Sequence, residues 1–424
     1  MPEFPPLVGN VNTEVAIIGG GMAGLLCAHR LTQQGVSCVV VEADRILGGV
    51  TRNTTAKLTT QHGLCYHKLV QQFGLSAARS YWQANQMALR QFERMAGEID
   101  CDFEKKDSYM FCRGGTTALE KEMAALYKLG IRAEFTNRTG LPVPVTGAIR
   151  FPGQAQFHPL KFAAGLLPGL KVYENSPVRQ WTGKDLVTDR GRITASKIIV
   201  ATHFPIFNKH GGYFLKLYQQ RSYVLALKNA PELDGMYLET EENGISLRRA
   251  GKFLLLGGGG HRTGKQGGGW ERLEHVAREW FPGSQEHCRW ANQDCMSLDG
   301  VPYIGRYGRI APDLFVATGF NKWGMTSSMV AAMVLTDLVQ GKESPWEALF
   351  SPQRSVLRPQ LFENLWESTV NLLRPTTPRC PHLGCALRWN KAEHTWDCPC
   401  HGSRFAKDGT LLDGPATGDL KKSP

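Results

Sequence analysis

The sequence lacks any apolar run long enough to cross a bilayer, because its longest hydrophobic stretches have the length of a β-strand. Residues 1–13 contain no basic segment followed by an apolar one, so we expect no secretory signal and a cytoplasmic protein. Internal repeats and low-complexity tracts are absent as well. These absences exclude membrane-spanning helices and a repeat architecture. They leave a globular chain whose 424 residues suffice for two or three domains.

Charge of either sign is nowhere concentrated, although lysine and arginine outnumber aspartate and glutamate by 49 to 38. No basic run is interleaved with aromatic residues, so we expect neither membrane binding nor nucleic-acid binding. The scattered surplus of positive charge favours a solvated basic surface. An acidic redox partner or an acidic substrate is the second interpretation.

The N-terminal part contains a pattern typical of dinucleotide binding. An apolar strand over 15–18 is followed by Gly19-Gly20-Gly21-Met22-Ala23-Gly24, a helix over 25–34 and a strand over 37–41 that ends at Glu42. In this frame the glycines predict a pyrophosphate at the helix N-terminus, and the terminal acid predicts a bond to ribose hydroxyls. The alternative is a glycine-rich turn in another kind of α/β protein.

Three later segments place small residues where a backbone would approach the same ligand. They are Gly48-Gly49 with Thr51, the end of the strand over 198–202, and the segment Gly319–Thr326 that leads from a strand into a helix. The third segment offers a helix N-terminus that would stabilise negative charge on a cofactor. An ordinary glycine turn is its alternative.

Hydrophobic periodicity organises the remainder. Steps of three and four predict helices through 75–128, and alternation through 213–260 predicts an antiparallel sheet that forms a substrate layer. Gly257–His261 is not a second dinucleotide fingerprint, because no helix follows at once. Residues 341–379 are interpreted as a linker or docking helix, with an amphipathic patch at 361–373.

Together these residues resemble the D-amino-acid-oxidase-type FAD oxidoreductases, the group that includes glycine oxidase and sarcosine oxidase, over about residues 12–350. The resemblance implies extended FAD beneath a β-rich substrate domain, and removal of a hydride from a carbon next to an amine. It also implies that Val178 holds the adenine through its backbone. The predicted cofactor-binding residues are Gly19, Gly21, Met22, Ala23, Gly24, Glu42, Gly49, Thr51, Val178, Ala201, Thr202, Gly319, Gly324, Met325 and Thr326.

The eleven cysteines fall into two groups. Seven lie dispersed between Cys27 and Cys295 and are predicted to be reduced core thiols, as in a cytosolic protein. The other four crowd into the C-terminal tail, where Cys380-Pro381-His382 precedes Cys398-Pro399-Cys400-His401 by fifteen residues, 383 to 397.

This tail is similar to the Rieske [2Fe–2S] centre, in which two cysteines hold one iron and two histidines hold the other. By that similarity Cys380, Cys398, His382 and His401 are the ligands, and Cys385 with Cys400 matches the loop disulfide of the family. A zinc site is the alternative, although zinc fingers pair Cys-x-x-Cys with a separate histidine pair. No alternating apolar run precedes Cys380, so the domain lacks the front strands of its family.

Candidate catalytic residues are less marked. Lys57 and His62 follow the loop that is expected near the flavin ring, and His261 follows four glycines as a base or positioning donor, unless it is a backbone-bonded loop residue. Arg248 or Arg249 is a candidate partner for a substrate carboxylate, and an ordinary surface arginine is the alternative for each.

The predicted fold class is α/β: a Rossmann-like FAD-binding domain, an antiparallel β substrate domain and a small all-β Rieske-type domain. Their expected bounds are 1–75, 145–205 and 290–345 for FAD binding, 76–144 and 206–289 for the substrate, 346–375 for a linker, and 376–424 for the Rieske domain.

The predicted function is an FAD-dependent dehydrogenase of a small amine or amino acid that relays electrons to the cluster and then to an external acceptor. An NAD(P)H-linked reductase is one rival, although no second fingerprint is present for a nicotinamide cofactor. A redox sensor or electron-transfer protein without turnover is another, and a tRNA-modifying flavoprotein is the least favoured.

Overall fold

A computed structural model describes residues 1–207, 210–241, 244–265, 267–375 and 378–421. The helices are α1 Met22–Gln33, α2 Val50–Asn53, α3 Tyr66–Ala96, α4 Thr117–Leu129, α5 Pro159–Leu166, α6 Tyr213–Lys216, α7 Glu271–Trp280, α8 Gly324–Val339, α9 Glu347–Phe350 and α10 Pro359–Leu373. The strands are β1 Gly9–Ile18, β2 Cys38–Val41, β3 Lys57–Leu58, β4 Glu104–Cys112, β5 Glu134–Thr136, β6 Gly147–Gln156, β7 Lys171–Tyr173, β8 Val178–Thr182, β9 Asp185–Thr188, β10 Gly191–Val200, β11 Leu217–Lys228, β12 Gly235–Glu239, β13 Ser246–Ala250, β14 Phe253–Arg262, β15 Gln285–Ser297, β16 Tyr303–Gly308, β17 Ala311–Thr318, β18 Arg388–Asn390, β19 Thr395–Asp397, β20 Arg404–Phe405 and β21 Leu411–Asp413.

The first sheet is mostly parallel, in the order β16-β17-β10-β1-β2-β7, with β8 and β9 added beside β10. Alternate residues of β1 enter different cores: Val15 and Ile17 pack with α1 and α8, whereas Ala16 and Ile18 pack on the opposite face. Burial of both faces explains why residues 15–18 of this strand are continuously apolar. The sheet thus presents the ends of β1, β10 and β17 side by side.

The second sheet has nine strands in the order β15-β11-β14-β13-β12-β4-β6-β3, with β5 paired to β6. The antiparallel sheet predicted through 213–260 is confirmed, because β11, β14, β13 and β12 pair antiparallel in that order. The whole sheet is mixed, because β12 also pairs with β4, and these two strands run parallel. The helical prediction for 75–128 is correct for α3 and α4 and wrong for the intervening β4. Only the last half of this nine-residue strand is apolar, so its sequence indicates neither a helix nor a strand clearly.

Sheet membership also differs from the expected domain bounds. Strands β3 and β6 belong to the second sheet, although 1–75 and 145–205 were assigned to FAD binding. Strand β15 pairs with β11 from Gln285 through Ser297 and so crosses the expected boundary at 290. Local alternation identifies a strand but does not determine which sheet it joins.

The tail forms a small third sheet of four short strands, β18-β19-β20-β21. Between 346 and 379, the described residues form the helices α9 and α10 and a single bridge from Arg379 to Ala386, with no strand in front of the cysteine loops. In the described part of the chain, every helix is too short or too polar to cross a membrane.

Candidate functional site

A cavity of about 1030 Å³ lies where the ends of β1, β10 and β17 meet the second sheet. Its volume is at the upper end for small-molecule sites. Thirteen of the fifteen predicted cofactor-binding residues line it: Gly19, Gly21, Met22, Ala23, Glu42, Gly49, Thr51, Val178, Ala201, Thr202, Gly319, Gly324 and Met325. The two exceptions are Gly24 and Thr326, which act beside the cavity.

Gly24 and Thr326 contact other parts of the protein beside the cavity. A Cβ on Gly24 would approach the carbonyl oxygen of Gly19 to 1.9 Å, so only glycine lets α1 pack this closely on the turn. The hydroxyl of Thr326 lies 3.0 Å from Nε2 of His62 and does not line the cavity.

The phosphate end of the cavity fits an anion. Neither α1 nor α8 has a side-chain N-cap, and the first residues of both helices, Met22 and Gly324, line the cavity. Free N–H groups and the helix dipole at these two ends favour negative charge.

Glu42 occupies the position expected for ribose recognition. Its carboxylate accepts hydrogen bonds from the backbone N–H groups of Gly20, at 2.7 Å, and Asp44, at 3.1 Å. Burial raises its pKa above the usual value. Together with the two helix ends, this acid makes a donor and acceptor set that suits FAD.

Lys57 lies in β3, lines the cavity and is partly buried. Its Nζ donates to the carbonyl oxygen of Tyr237 at 2.8 Å and to Oγ of Ser246 at 2.5 Å. Burial first, and the nearby Arg248 second, lower its pKa to about 7. A neutral amine that donates two hydrogen bonds keeps a lone pair, which is the requirement for a general base.

The other candidate side chains do not line the cavity. Arg248 is buried against the carbonyl oxygen of Phe157, 3.5 Å from Nη2, and Arg249 pairs with Glu232 at 2.7 Å. The alternative interpretation, that each is an ordinary surface arginine, is also wrong, because both side chains are buried. His62 contacts Tyr81 and Thr59 and stacks on Trp323, which does line the cavity.

His261 lies in β14 and not in a loop. Its ring stacks on that of Tyr223, with centroids 5.8 Å apart, and does not itself line the cavity. The glycines before it continue the strand, and three of them, Gly257, Gly258 and Gly260, line the cavity through their backbone.

Sequence reasoning missed a polar group in the cavity formed by His203, Asp294 and Lys322. Burial raises the pKa of Asp294 and lowers the pKa of Lys322, while their opposite charges attract and partly offset both shifts. Burial also lowers the pKa of His203, with Asp294 acting in the opposite direction. Lys322 lies inside the glycine segment before α8. This position in the sequence is the signal from which a cavity residue could have been predicted.

The tail forms part of the same cavity. Residues 411–417, which include β21, line it together with His203 and Phe204 from the loop after β10. Nη1 of Arg179 donates to the carbonyl oxygen of Thr417 at 3.2 Å, beside the predicted adenine position Val178. The cavity is therefore bounded by three sheets, and the tail covers one side of it.

The predicted metal ligands converge in the tail. The rings of His382 and His401 have centroids 4.9 Å apart, and the thiols of Cys380 and Cys398 contact each other. All four residues are buried except His382, which is partly exposed. Burial lowers the pKa of His382 to about 4 and that of His401 to about 3, so both imidazoles are neutral, as metal ligation requires.

Unpartnered nitrogens show that this group fits a metal centre. Both ring nitrogens of His382 and Nδ1 of His401 are buried without a hydrogen-bond partner among the described residues. Two thiols and two free imidazole nitrogens are the donor set of a Rieske cluster. The sulfur atoms of Cys385, Cys398 and Cys400 lie within 4.8 Å of one another, so sulfur positions alone would also admit a three-cysteine site.

The expected disulfide is not formed. Cys385 and Cys400 are free thiols, as are the other nine cysteines. Both lie beside Cys398 in a crowded group of sulfurs.

The histidine side of the tail is packed against the flavoprotein part. Nε2 of His401 lies 3.0 Å from the carbonyl oxygen of Phe214, and the carbonyl oxygen of His401 accepts from Nε2 of Gln219 at 2.8 Å. The ring of Phe204 is 6.2 Å from the ring of His382 and 6.2 Å from that of His401. Phe204 therefore separates the cavity from both histidines.

Comparison with known families agrees with this geometry. The family described as DAO, FAD dependent oxidoreductase, matches residues 14–338, and the family described as Rieske [2Fe-2S] domain matches residues 363–424. The chain belongs to the DAO family of FAD-dependent oxidoreductases and carries a C-terminal Rieske domain. FAD and a [2Fe–2S] cluster are accordingly its cofactors, and its fold is the predicted one.

Individual relatives are similar to the chain over most of its length. The chain is 34% identical to the putative Rieske 2Fe-2S iron-sulfur protein YhfW of Bacillus subtilis, over 100% of this chain and 95% of the relative. It is 24% identical to gamma-glutamylputrescine oxidoreductase of Escherichia coli, over 81% of this chain and 88% of that protein. Glycine oxidase from Geobacillus kaustophilus shares the fold, with a TM-score of 0.69 at 21% identity, over 82% of this chain and 100% of that structure.

Proposed function

We propose that this oxidoreductase is a cytoplasmic dehydrogenase of a small amine or amino acid, and that its electrons pass from the flavin cavity to the Rieske centre and on to an external acceptor. The bounds proposed for its parts are those expected from the sequence, except where β3, β6 and β15 join the second sheet. The free, mostly buried thiols between Cys27 and Cys295 support a reducing compartment.

The position of Phe204 carries the proposal. This residue lines the cavity and contacts both histidines of the cluster site, so a single side chain spans the space between the two cofactor positions. Phe204 is 3% exposed, so this connection is buried from bulk solvent. A fixed and buried connection of this kind suits electron transfer without movement of the tail.

Two lysines have separate proposed roles in substrate binding and deprotonation. Lys57 is the proposed proton acceptor, because its pKa of about 7 and its cavity position allow it to deprotonate an incoming ammonium group. Lys322 is the proposed partner for an anionic group, since it is the cation that lines the cavity next to α8. Arg248 is not assigned this role, because its guanidinium is directed to Phe157.

Bound FAD would take a hydride from the carbon next to the amine, and a bound [2Fe–2S] cluster would carry electrons singly to the acceptor. The protein would bind the substrate, remove its proton at Nζ of Lys57 and exclude water between the two sites. The names of the amine- and amino-acid-acting relatives support an amine substrate.

The proposal is tested by mixing the loaded protein anaerobically with a panel of primary amines, secondary amines and amino acids, and separately with NADH. Bleaching of the flavin by an amine, with slow oxygen consumption in air, supports a dehydrogenase. Rapid bleaching by NADH alone would identify an inward-feeding reductase. No bleaching by any of them, together with binding of a protein partner that depends on cluster state, would identify a sensor.

A further inference from the structure

Helix α10 is packed with its polar face inward. Asn364 is 3% exposed and Asn371 is 0% exposed, and Glu367 lies on the same side of the helix. The opposite face is apolar and open to solvent: Phe362 66%, Leu365 40%, Trp366 68%, Val370 37%, Leu372 45% and Leu373 78% exposed. We call these six side chains the α10 stripe.

The inward orientation is fixed by specific bonds. Oδ1 of Asn364 accepts from Nη1 of Arg262 at 3.0 Å, and its Nδ2 donates to the carbonyl oxygen of Leu215 at 3.2 Å. Glu367 pairs with Lys265. Turning the helix to bury its apolar face would break these bonds, so the exposure of the α10 stripe is a built feature of the fold. A contiguous apolar face of this kind marks an interaction surface.

The α10 stripe lies directly outside the cluster site. The carbonyl oxygen of Asn371 accepts from the backbone N–H of Ala386 at 2.9 Å, and the carbonyl oxygen of Glu367 lies 3.9 Å from Sγ of Cys400. The cysteine loops therefore touch the inner side of the helix. A molecule on the outer side is separated from them by about one helix diameter, roughly 10 Å.

The flavoprotein part covers most of the histidine side of the centre. His401 is 2% exposed and is bonded to Phe214 and Gln219, and only His382 is partly exposed there. Electrons would reach the cluster from the flavin cavity on its histidine side. Their transfer to an external acceptor therefore requires a binding surface on another side of the cluster. The α10 stripe provides one, continued by Leu383 of the first cysteine loop, which is 42% exposed.

Positive charge borders the C-terminal end of the stripe. Arg374 and Arg379 are exposed, and Arg379 is held by the carbonyl oxygens of Leu372, Arg374 and Gly384. In the part of the chain that the structure describes, neither arginine has a carboxylate partner. The whole chain carries a net charge of +11, so a second copy would be repelled and an acidic protein attracted.

We propose that the α10 stripe is the docking surface for an acidic one-electron carrier protein, which binds with its apolar contact area over Trp366 and Leu373. This inference rests on the proposed function, because it supplies the external acceptor. Oxidation of one substrate molecule releases two electrons, so two carrier molecules are reduced in each turnover.

Binding is measured by surface plasmon resonance on the full-length loaded protein, with an oxidised acidic blue-copper protein as the probe and a basic c-type cytochrome as the opposite-charge control. We expect the acidic probe to bind, with an affinity that falls as salt rises. The double variant W366Q/L373Q should weaken binding about tenfold or more. The matched control Tyr127→Gln, at a tyrosine of α4 that is 86% exposed, should leave it unchanged.

Three results would overturn the proposal. One is equal binding of the probe by wild type and W366Q/L373Q, or no binding at all. Another is a wild-type dimer in sedimentation that W366Q/L373Q converts to a monomer, which would assign the stripe to a second copy. The third is flotation with anionic phosphatidylglycerol vesicles that the same variant abolishes. Failure of the relay would appear separately, as a cluster that stays oxidised while the copper protein still binds.

Discussion

The carboxylate of Glu393 in the tail and the guanidinium of Arg221 in β11 form a buried ion pair across the boundary between the second and third sheets. Nε of Arg221 lies 2.9 Å from Oε1 of Glu393, and their side chains are 3% and 11% exposed. Arg404 pairs with the same carboxylate at 2.8 Å. This pair anchors the tail beside the histidine side of the cluster site.

Glu393→Gln is expected to loosen the tail. Removal of the charge leaves Arg221 buried with a weak partner, at a cost of about 3–5 kcal/mol in the free energy of unfolding. Tryptic cleavage after Arg379, which is exposed and precedes the first cysteine loop, should accelerate accordingly. The matched control is Asp102→Asn, which breaks the exposed pair with Lys161 and should cost at most about 1 kcal/mol. Equal cleavage rates in Glu393→Gln and wild type would show that the tail is held by other contacts.

The rate of flavin reduction is expected to rise with pH through about 7. Burial, with help from Arg248, lowers the pKa of Lys57 to about 7, so its amine accepts a proton above that pH and is blocked below it. Lys57→Met should remove this rise. Lys216→Met is the matched control, because burial lowers the pKa of that lysine to about 8 but it lies outside the cavity. A rise that survives in Lys57→Met would reject Lys57 as the base.

Substitution of a cluster ligand is expected to separate the two cofactors. His382→Ala or Cys398→Ser should abolish the Rieske EPR signal and lower the iron content, while FAD remains bound. Cys288→Ser, at an exposed cysteine far from the tail in sequence, should change neither property. Zinc in place of iron in the purified protein would contradict the assignment.

Phe204→Leu is expected to slow reduction of the cluster without slowing reduction of the flavin. Leucine keeps most of the packing but removes the ring that lies 6.2 Å from both histidines. Rapid mixing with substrate, followed at the flavin band and at the cluster band, measures the two rates separately. Unchanged cluster reduction in this variant would mean that electrons take another route.

Local patterns predicted both cofactors because the residue patterns that indicate them are local. The glycines of 19–24 and the acid Glu42 are close in sequence, and the cysteine–histidine spacing of the tail carries its own signature. The whole constellation could therefore be read without knowledge of the tertiary fold.

Contacts between distant segments could not be predicted in this way. Arg248 looked suitable for a carboxylate, but its direction depends on how β13 packs against Phe157. Asp294 and Lys322 meet only when β15 reaches the loop before α8. Helix α10 has a clear amphipathic pattern in the sequence. Its polar face is nevertheless the buried one, because Arg262 and Lys265 bind polar side chains of that face.

The central claim is tested most directly by a single-turnover experiment in stopped flow, in which the loaded protein is mixed without oxygen with one equivalent of a reducing amine. The account predicts that the flavin band bleaches first and that the cluster signal then falls at a rate independent of protein concentration, because both sites lie in one chain. A flavin that bleaches fully while the cluster stays oxidised would contradict it.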